Sequence, residues 1–440
     1  MPIPEHHAAG ALDGLVVADF SRVLAGPFAT MHLADLGATV VKVERSGTGD
    51  DTRAWGPPFA SDGQSAYFRS VNRNKRSVAL DLGSTDGRAA AEALVRRADV
   101  LVENFLPGTM EKFGLGWEQA RELNPRLVYC SITGFGRDGG AELAGYDFVV
   151  QAVGGLMSVT GEPDGPPLKV GVALVDVLTG QFALAGILAA LHARHRTGGG
   201  QRVEVDLLSS LLAGLVNQSS AYLTTGVAPG RLGNAHPSIA PYETLRTADR
   251  PLAVGAGNDR LFAALCRVLD RPDLVTDPRF ATNADRVAHR SALIDALESV
   301  LARGTAAWWA ERLRAAGVPA GPVQDIGEAF AYAESLGLAP VAPGPVPTTA
   351  NPIRLSDTPV RYRTPPPDVG ADTADVLDWL GTSPPAELWS FEGAGAPPTL
   401  ESPQLNVQDR DVHDRDAQDR DVQDRDVNDR DAQDRTETPT

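Results

Sequence analysis

The chain has 440 residues, 42% hydrophobic and 22% charged, which is too long for one ordinary core, so two or more packed units are expected. Forty Lys and Arg against 57 Asp and Glu give a formal charge of −17, which disfavours nucleic acid and anionic membrane as partners unless basic residues cluster locally. Two cysteines, Cys130 and Cys266, lie far apart in no motif spacing, excluding a disulfide framework or a CxxC-type metal site.

The first ten residues carry no basic region followed by an apolar one, so no secretory signal is expected. Residues 15–20 (LVVADF) read as a strand; Gly26-Pro27 then opens a helix running through Ala34, Gly37 ends it, and 39–44 (TVVKVE) is the next strand. That is a βαβ unit of about 30 residues. Strands of the same kind follow at 77–82, 100–104 and 127–133. Near-continuous apolar strands separated by helices predict a parallel sheet covered on both faces, and hence an α/β, Rossmann-like architecture. The first strand-to-helix turn reads Ser21-Arg22-Val23-Leu24-Ala25-Gly26-Pro27. It lacks GxGxxG, so NAD or FAD chemistry is disfavoured. No GxxxxGK[ST], HExxH or GxSxG occurs either.

The apolar stretch 177–193 is broken by Thr179, Gln181, Gly186 and His192. It is short for a bilayer and reads as part of a buried helix, 177–196, ended by three glycines. A strand at 201–206 follows, and then a loop-like segment at 229–241. A second unit begins with a strand at 252–257, a helix at 260–269 and a long helical pattern over 291–315. The expected divisions are a large Rossmann-like α/β domain at 1–227, a small domain at 228–330, and a linker with a returning segment at 331–395. Within that segment, 374–380 is a helix that docks back on the first domain. The tail, 396–440, contains a five-residue repeat over 407–435 with 11 Asp and 6 Arg. A period of five fits neither helix nor strand, so the tail is expected to be disordered. The whole is expected to be soluble and cytoplasmic.

Arg69, Arg73, Lys75 and Arg76 form the densest basic cluster. In so acidic a chain it is a candidate seat for a polyanionic small molecule, with a solvated face as the alternative. Arg45 and Lys112 add positive positions near strand ends. Asp176 follows an apolar run, 170–175, and precedes an apolar helix. A shielded carboxylate there either caps the helix or has a chemical task, and spacing alone leaves both open.

The stretches 12–27, 37–53, 72–82 (NRNKRSVALDL), 98–108 (ADVLVENFLPG), 123–136, 145–161, 170–191 and 197–207 together resemble the class III CoA-transferases. This is the CaiB/BaiF family of formyl-CoA transferase and carnitine CoA-transferase. The similarity runs from about Ala11 to Leu388. It implies an interlocked homodimer with a Rossmann-like large domain and a smaller one, acting on an acyl-CoA and a small carboxylic acid without metal or redox cofactor. It also implies that Asp176 is the nucleophile, forming an acyl-aspartyl anhydride and then an aspartyl-CoA thioester.

The implied CoA contacts are Leu24, Ala25, Arg45, Leu80 to Gly83, Asn104, Phe105, Leu106, Lys112 and the stretch Ala144, Tyr146, Asp147. Lys112 stands where relatives carry arginine, replacing a bidentate grip by a point charge. Leu24 replaces the glutamine of formyl-CoA transferase, which argues against formyl-CoA. The loop around Gly233, Asn234 and His236 lacks the glycine run of that enzyme and is expected to touch the acyl group; an ordinary linker turn is the alternative. Relatives with this loop type act on dicarboxylates, so succinyl-CoA is the expected donor. An α-methylacyl-CoA racemase is disfavoured, because Tyr146 stands where those enzymes use histidine as the base. A CoA-binding module without chemistry is the third reading.

Overall fold

The computed structural model describes residues 10–382. The expected Asp/Arg-repeat tail lies outside the described residues. Six parallel strands, β1 (Val16–Asp19), β2 (Thr39–Glu44), β3 (Lys75–Ala79), β4 (Val100–Glu103), β5 (Val128–Thr133) and β6 (Arg202–Asp206), form one sheet in the order β3-β2-β1-β4-β5-β6. This is the doubly wound order that reverses beside β1. Alternate residues of each strand enter opposite cores. Val17, Val40, Val102 and Cys130 face one apolar cluster, while Ala18, Val41, Leu101 and Tyr129 face the other. Both faces being covered explains why the strands read as unbroken apolar runs.

Helix α1 (Ala25–Asp35) and the 24-residue α4 (Leu174–Thr197) pack together on the first face. Helix α2 (Thr85–Arg97) covers the second, and the short α3 (Asp147–Val153) precedes α4. α4 is long and apolar enough to cross a membrane by length and composition. Here its Val175, Ala183, Ile187 and Leu191 belong to the core. The expected return of the chain is present: α5 (Thr373–Leu380) contributes Val376 and Leu377 to the second cluster. Asp372 and Thr373 accept the β3 backbone N–H groups of Ser77 (2.9 Å) and Ala79 (3.0 Å), closing that edge of the sheet.

A second, antiparallel sheet of β7 (Tyr242–Leu245), β8 (Leu252–Gly255) and β9 (Ala320–Pro322) has its own core, including Phe262, Leu297 and Trp309. The helical pattern expected over 291–315 is two helices, Arg290–Leu301 and Ala306–Ala315. Gly304 and Thr305 break it, and Thr305 caps the second helix through Trp308 N–H. The linker expected from residue 331 begins inside a helix, Ile326–Ser335, started by a reciprocal Asp325/Glu328 capping box.

The basic cluster needs correction as a polyanion seat. Lys75 Nζ lies 3.1 Å from Asp19, Arg73 lies 2.6 Å from Asp35, Arg76 faces Asp372, and Arg69 pairs with Asp62. Lys75 and Arg73 are buried, so their charges are spent on carboxylates that would otherwise be unpaired in the core. We expect Lys75→Met to cost roughly 3–5 kcal/mol, because it strands Asp19 with a lost counter-charge. Arg246→Met breaks an ion pair whose arginine is 81% exposed, and should cost at most about 1 kcal/mol. Urea unfolding of both variants measures the difference.

Candidate active site

The site is built on the first strand-to-helix turn, at the carboxyl ends of β1 and its neighbours. Asp19 ends β1 and accepts hydrogen bonds from Ser21 N–H (3.0 Å), Ser21 Oγ (2.5 Å) and Thr30 Oγ1 (2.7 Å). Lys42 Nζ donates to Ser21 O and to Asp50, each at 2.9 Å. Asn104 clamps the next residue from β4: its Oδ1 accepts Arg22 N–H at 2.8 Å and its Nδ2 donates to Arg22 O at 2.7 Å. This scaffold holds Val23 at φ 68°, a left-handed conformation that a β-branched residue rarely adopts. Glycine is dispensed with here because the side-chain bonds over-determine the backbone.

Two adjoining cavities open beside this turn. The first, about 230 Å³, is lined by Arg45, Leu80, Gly83 and Phe113 among others. The second, about 260 Å³, contains Ala25, Asn104, Phe105, Leu106, Ala144 and Tyr146, with Asp176 in its wall. Arg22 and Phe105 line both, with the guanidinium 4.9 Å from the phenyl centroid. Gly134 and Gly145 let two backbone segments cross in the second cavity's wall. A Cβ on either would collide with the other's Cα.

The structure thus brings together most of the residues named from the sequence, and places others elsewhere. Leu24 is the buried N-cap position of α1. Lys112 ends a short helix, Thr109–Lys112, and lines neither cavity. The Asn104 amide is committed to Arg22 through both of its polar atoms. Gly233 donates its N–H to Gly161 O (3.0 Å), Asn234 donates to Thr244 Oγ1 (3.0 Å), and His236 stands edge-on to Tyr242. Within one chain that loop lines neither cavity.

Asp176 is the third residue of α4, not its cap, and no described residue donates a hydrogen bond to its carboxylate. The backbone donors at this helix start belong to Asp147, whose Oδ1 accepts Val175 N–H (2.8 Å) and Asp176 N–H (3.3 Å). Its Oδ2 accepts Gln151 Nε2 at 2.7 Å. Burial, and secondarily the Asp147 charge, push the Asp176 carboxyl up to about 7. The same acidic group raises Tyr67 to about 12, through burial first and then the charges of Asp176, Asp147 and Asp50. Tyr67 packs edge-on against Trp55, their centroids 5.2 Å apart. Arg22, Trp55 and Tyr67 carry no spacing signal in the sequence; folding alone brings these segments to the site. Cys130 and Cys266 are free and buried, their thiols pushed up chiefly by burial, and carry no chemistry here.

A carboxylate that titrates near neutrality is more basic, and therefore more nucleophilic, than an exposed one. It also destabilises the fold. Folded Asp176 holds its proton to about pH 7, whereas an unfolded aspartate holds it only to about 3.9. The stability associated with protonated Asp176 is therefore lost as pH rises through 7. Asp176→Asn should be more stable than wild type by roughly 2–4 kcal/mol at pH 8. The gain should shrink at pH 5, as read from urea unfolding at both values.

The family model described as CoA-transferase family III matches residues 12–373. The chain is 46% identical to succinate–glutarate CoA-transferase of Agrobacterium fabrum over 391 residues, covering 84% of this chain and 96% of that protein. It is 45% identical to acetyl-CoA:oxalate CoA-transferase of Acetobacter aceti, covering 79% and 90%. The crystal structure of a CAIB/BAIF family protein from Brucella suis superposes with a TM-score of 0.78 at 43% identity, covering 84% of this chain and all of that one. With its doubly wound sheet and its match over nearly the whole described length, the chain belongs to the family III CoA-transferases.

Proposed function

We propose that this enzyme moves CoA from a small acyl-CoA, with succinyl-CoA the preferred donor, to a carboxylic acid acceptor through covalent intermediates on Asp176. The observation that carries this reading is an uncapped carboxylate in a cavity wall, pushed up to about 7 by burial and by Asp147. In the first step an Asp176 oxygen attacks the thioester carbonyl, the C–S bond breaks, and CoA leaves as thiolate. The thiolate then attacks the aspartyl carbonyl of the mixed anhydride and expels the donor's carboxylate, giving an aspartyl-CoA thioester. The acceptor carboxylate repeats the sequence in reverse and leaves as the new acyl-CoA. Thioester is exchanged for thioester, so no metal or redox cofactor enters. Cavity-wall backbone N–H groups would have to carry the charge of each tetrahedral oxyanion.

In this reading the nucleotide end of CoA occupies the cavity of Arg45, Leu80 and Gly83. The pantetheine arm passes Arg22 and Phe105 toward Asp176, between Ala25, Leu106, Ala144 and Tyr146. Arg22 is the one cationic side chain lining the Asp176 cavity among the described residues. It suits the free carboxylate of a dicarboxylic acyl group. Two of the relatives above are named for succinate with glutarate and for oxalate, which supports a dicarboxylate for this enzyme. A homodimer is part of the proposal. Val153, Val216, Leu223 and Val227 stand 64–81% exposed, apolar side chains that a second chain would cover. The loop of Gly233, Asn234 and His236 is proposed to meet the acyl group within that dimer.

Incubation with succinyl-, acetyl- and formyl-CoA, followed by hydroxylamine and peptide mass spectrometry, should place a hydroxamate on Asp176, most abundantly with succinyl-CoA. No adduct with any donor, together with deuterium uptake at the acyl α-carbon in heavy water, would overturn the transfer reading. Arg22→Gln should lower kcat/KM for succinyl-CoA relative to acetyl-CoA by about tenfold or more. Equal losses on both donors would remove the carboxylate role. Sedimentation velocity should give about twice the 46.4 kDa of one chain.

A further inference from the structure

We infer that Asp147 is a positioning residue for the nucleophile: its carboxylate takes the backbone donors at the start of α4, so that Asp176 goes uncapped and faces a like charge. The inference rests on the reading of Asp176 as the attacking group. Every polar contact of Asp147 turns inward. Oδ1 serves the N–H groups of Val175 and Asp176, and Oδ2 serves Gln151. Gln151 is fully buried, and its Oε1 holds Val170 N–H at 2.9 Å. The pair therefore fixes both the segment that enters α4 and its first turn. An acid at a helix start normally gains from the free N–H groups and the dipole. Here that stabilisation is given to the acid that does no chemistry.

The consequence for reaction is electrostatic. Attack by Asp176 turns a charged carboxylate into a neutral anhydride, and the charge departs on the CoA thiolate. The repulsion between Asp147 and Asp176 exists in the free enzyme and vanishes in the intermediate, which draws the covalent step forward. The other titratable groups around the nucleophile are Tyr146 and the Arg22–Asp51 ion pair in the walls of the same cavity, and the Tyr67 hydroxyl, pushed up to about 12. After burial, the charge of Asp147 is what pushes the Asp176 carboxyl up.

The test separates this role from that of a CoA contact and from that of a plain cap. Asp147→Asn keeps an oxygen acceptor for Val175 N–H and removes the charge. The acid limb of kcat/KM, near pH 7 in the wild type, should move down by about half a unit to one unit. The plateau kcat should fall about tenfold or more, with KM for acyl-CoA within about threefold. An unmoved acid limb, or a loss confined to KM, would overturn the inference. Because the new amide faces the Gln151 amide, a second measurement stands beside it. Asp176→Cys, alone and combined with Asp147→Asn, is alkylated with iodoacetamide across pH. The thiol should titrate about half a unit or more higher in the single variant, and equal values would refute the field effect. This readout needs no turnover. Failure of the hydroxamate experiment with the thiol shift intact would reject the function and leave the field of Asp147 standing.

Discussion

Everything at this site hangs on buried charge pairing around the carboxyl end of β1, where Lys42 reaches in from β2 and Lys75 from the start of β3. Asp19 with Lys75, and Lys42 with Asp50, are side chains of zero exposure. Such pairs seldom stabilise a fold relative to apolar residues of equal volume, but breaking one leaves an uncompensated buried charge. They fix geometry. Lys42 reaches the carbonyl of Ser21, and Asp50 reaches toward Val23 N–H at 3.4 Å, so the first turn is held from below by the neighbouring strand. That support lets a valine occupy a left-handed conformation where dinucleotide-binding relatives of the architecture place glycine.

The turn in turn decides what can bind. With Asn104 tying it to β4 through Arg22, the turn projects Arg22 between two cavities that one extended ligand can span. The second cavity is closed by α4, whose apolar length is explained by packing on α1 and the sheet. Burial there is what makes Asp176 costly as a charge. The same desolvation that weakens the fold at high pH makes the carboxylate more basic. Asp147 adds to both effects while holding the helix start in place.

Sequence reading reached far into this protein where the signal was local. The unbroken apolar runs of strands covered on both faces, Gly37 ending α1, and the glycines ending α4 were all legible, because each reflects a requirement of its own segment. Strands β7 (YETL) and β9 (AGP) were not, since neither contains an apolar run to mark it. The break at Gly304 and Thr305 was overridden in the reading by helical pattern on either side. Among site residues, Asp176 could be singled out as a carboxylate in apolar company, and Ala25, Arg45, Leu80, Gly83, Phe105 and Tyr146 all stand in the cavity walls.

The sequence by itself determined the doubly wound sheet, the absence of a glycine fingerprint for dinucleotides and the presence of a shielded acid, because composition and period act through neighbours along the chain. Only the tertiary structure decided which charges are free. Arg73 and Lys75 look like an open basic patch in the sequence, and they are consumed by Asp35 and Asp19, each more than thirty residues away in the chain. Arg22, unremarkable in the sequence, is the cation lining the Asp176 cavity, where it is paired with Asp51 at 3.4 Å. Asp147 and Asp176 are 29 positions apart, and only the approach of α3 to the start of α4 makes one the partner of the other. Coulomb and hydrogen-bond energies depend on distances of a few ångströms through space, and sequence separation does not encode those.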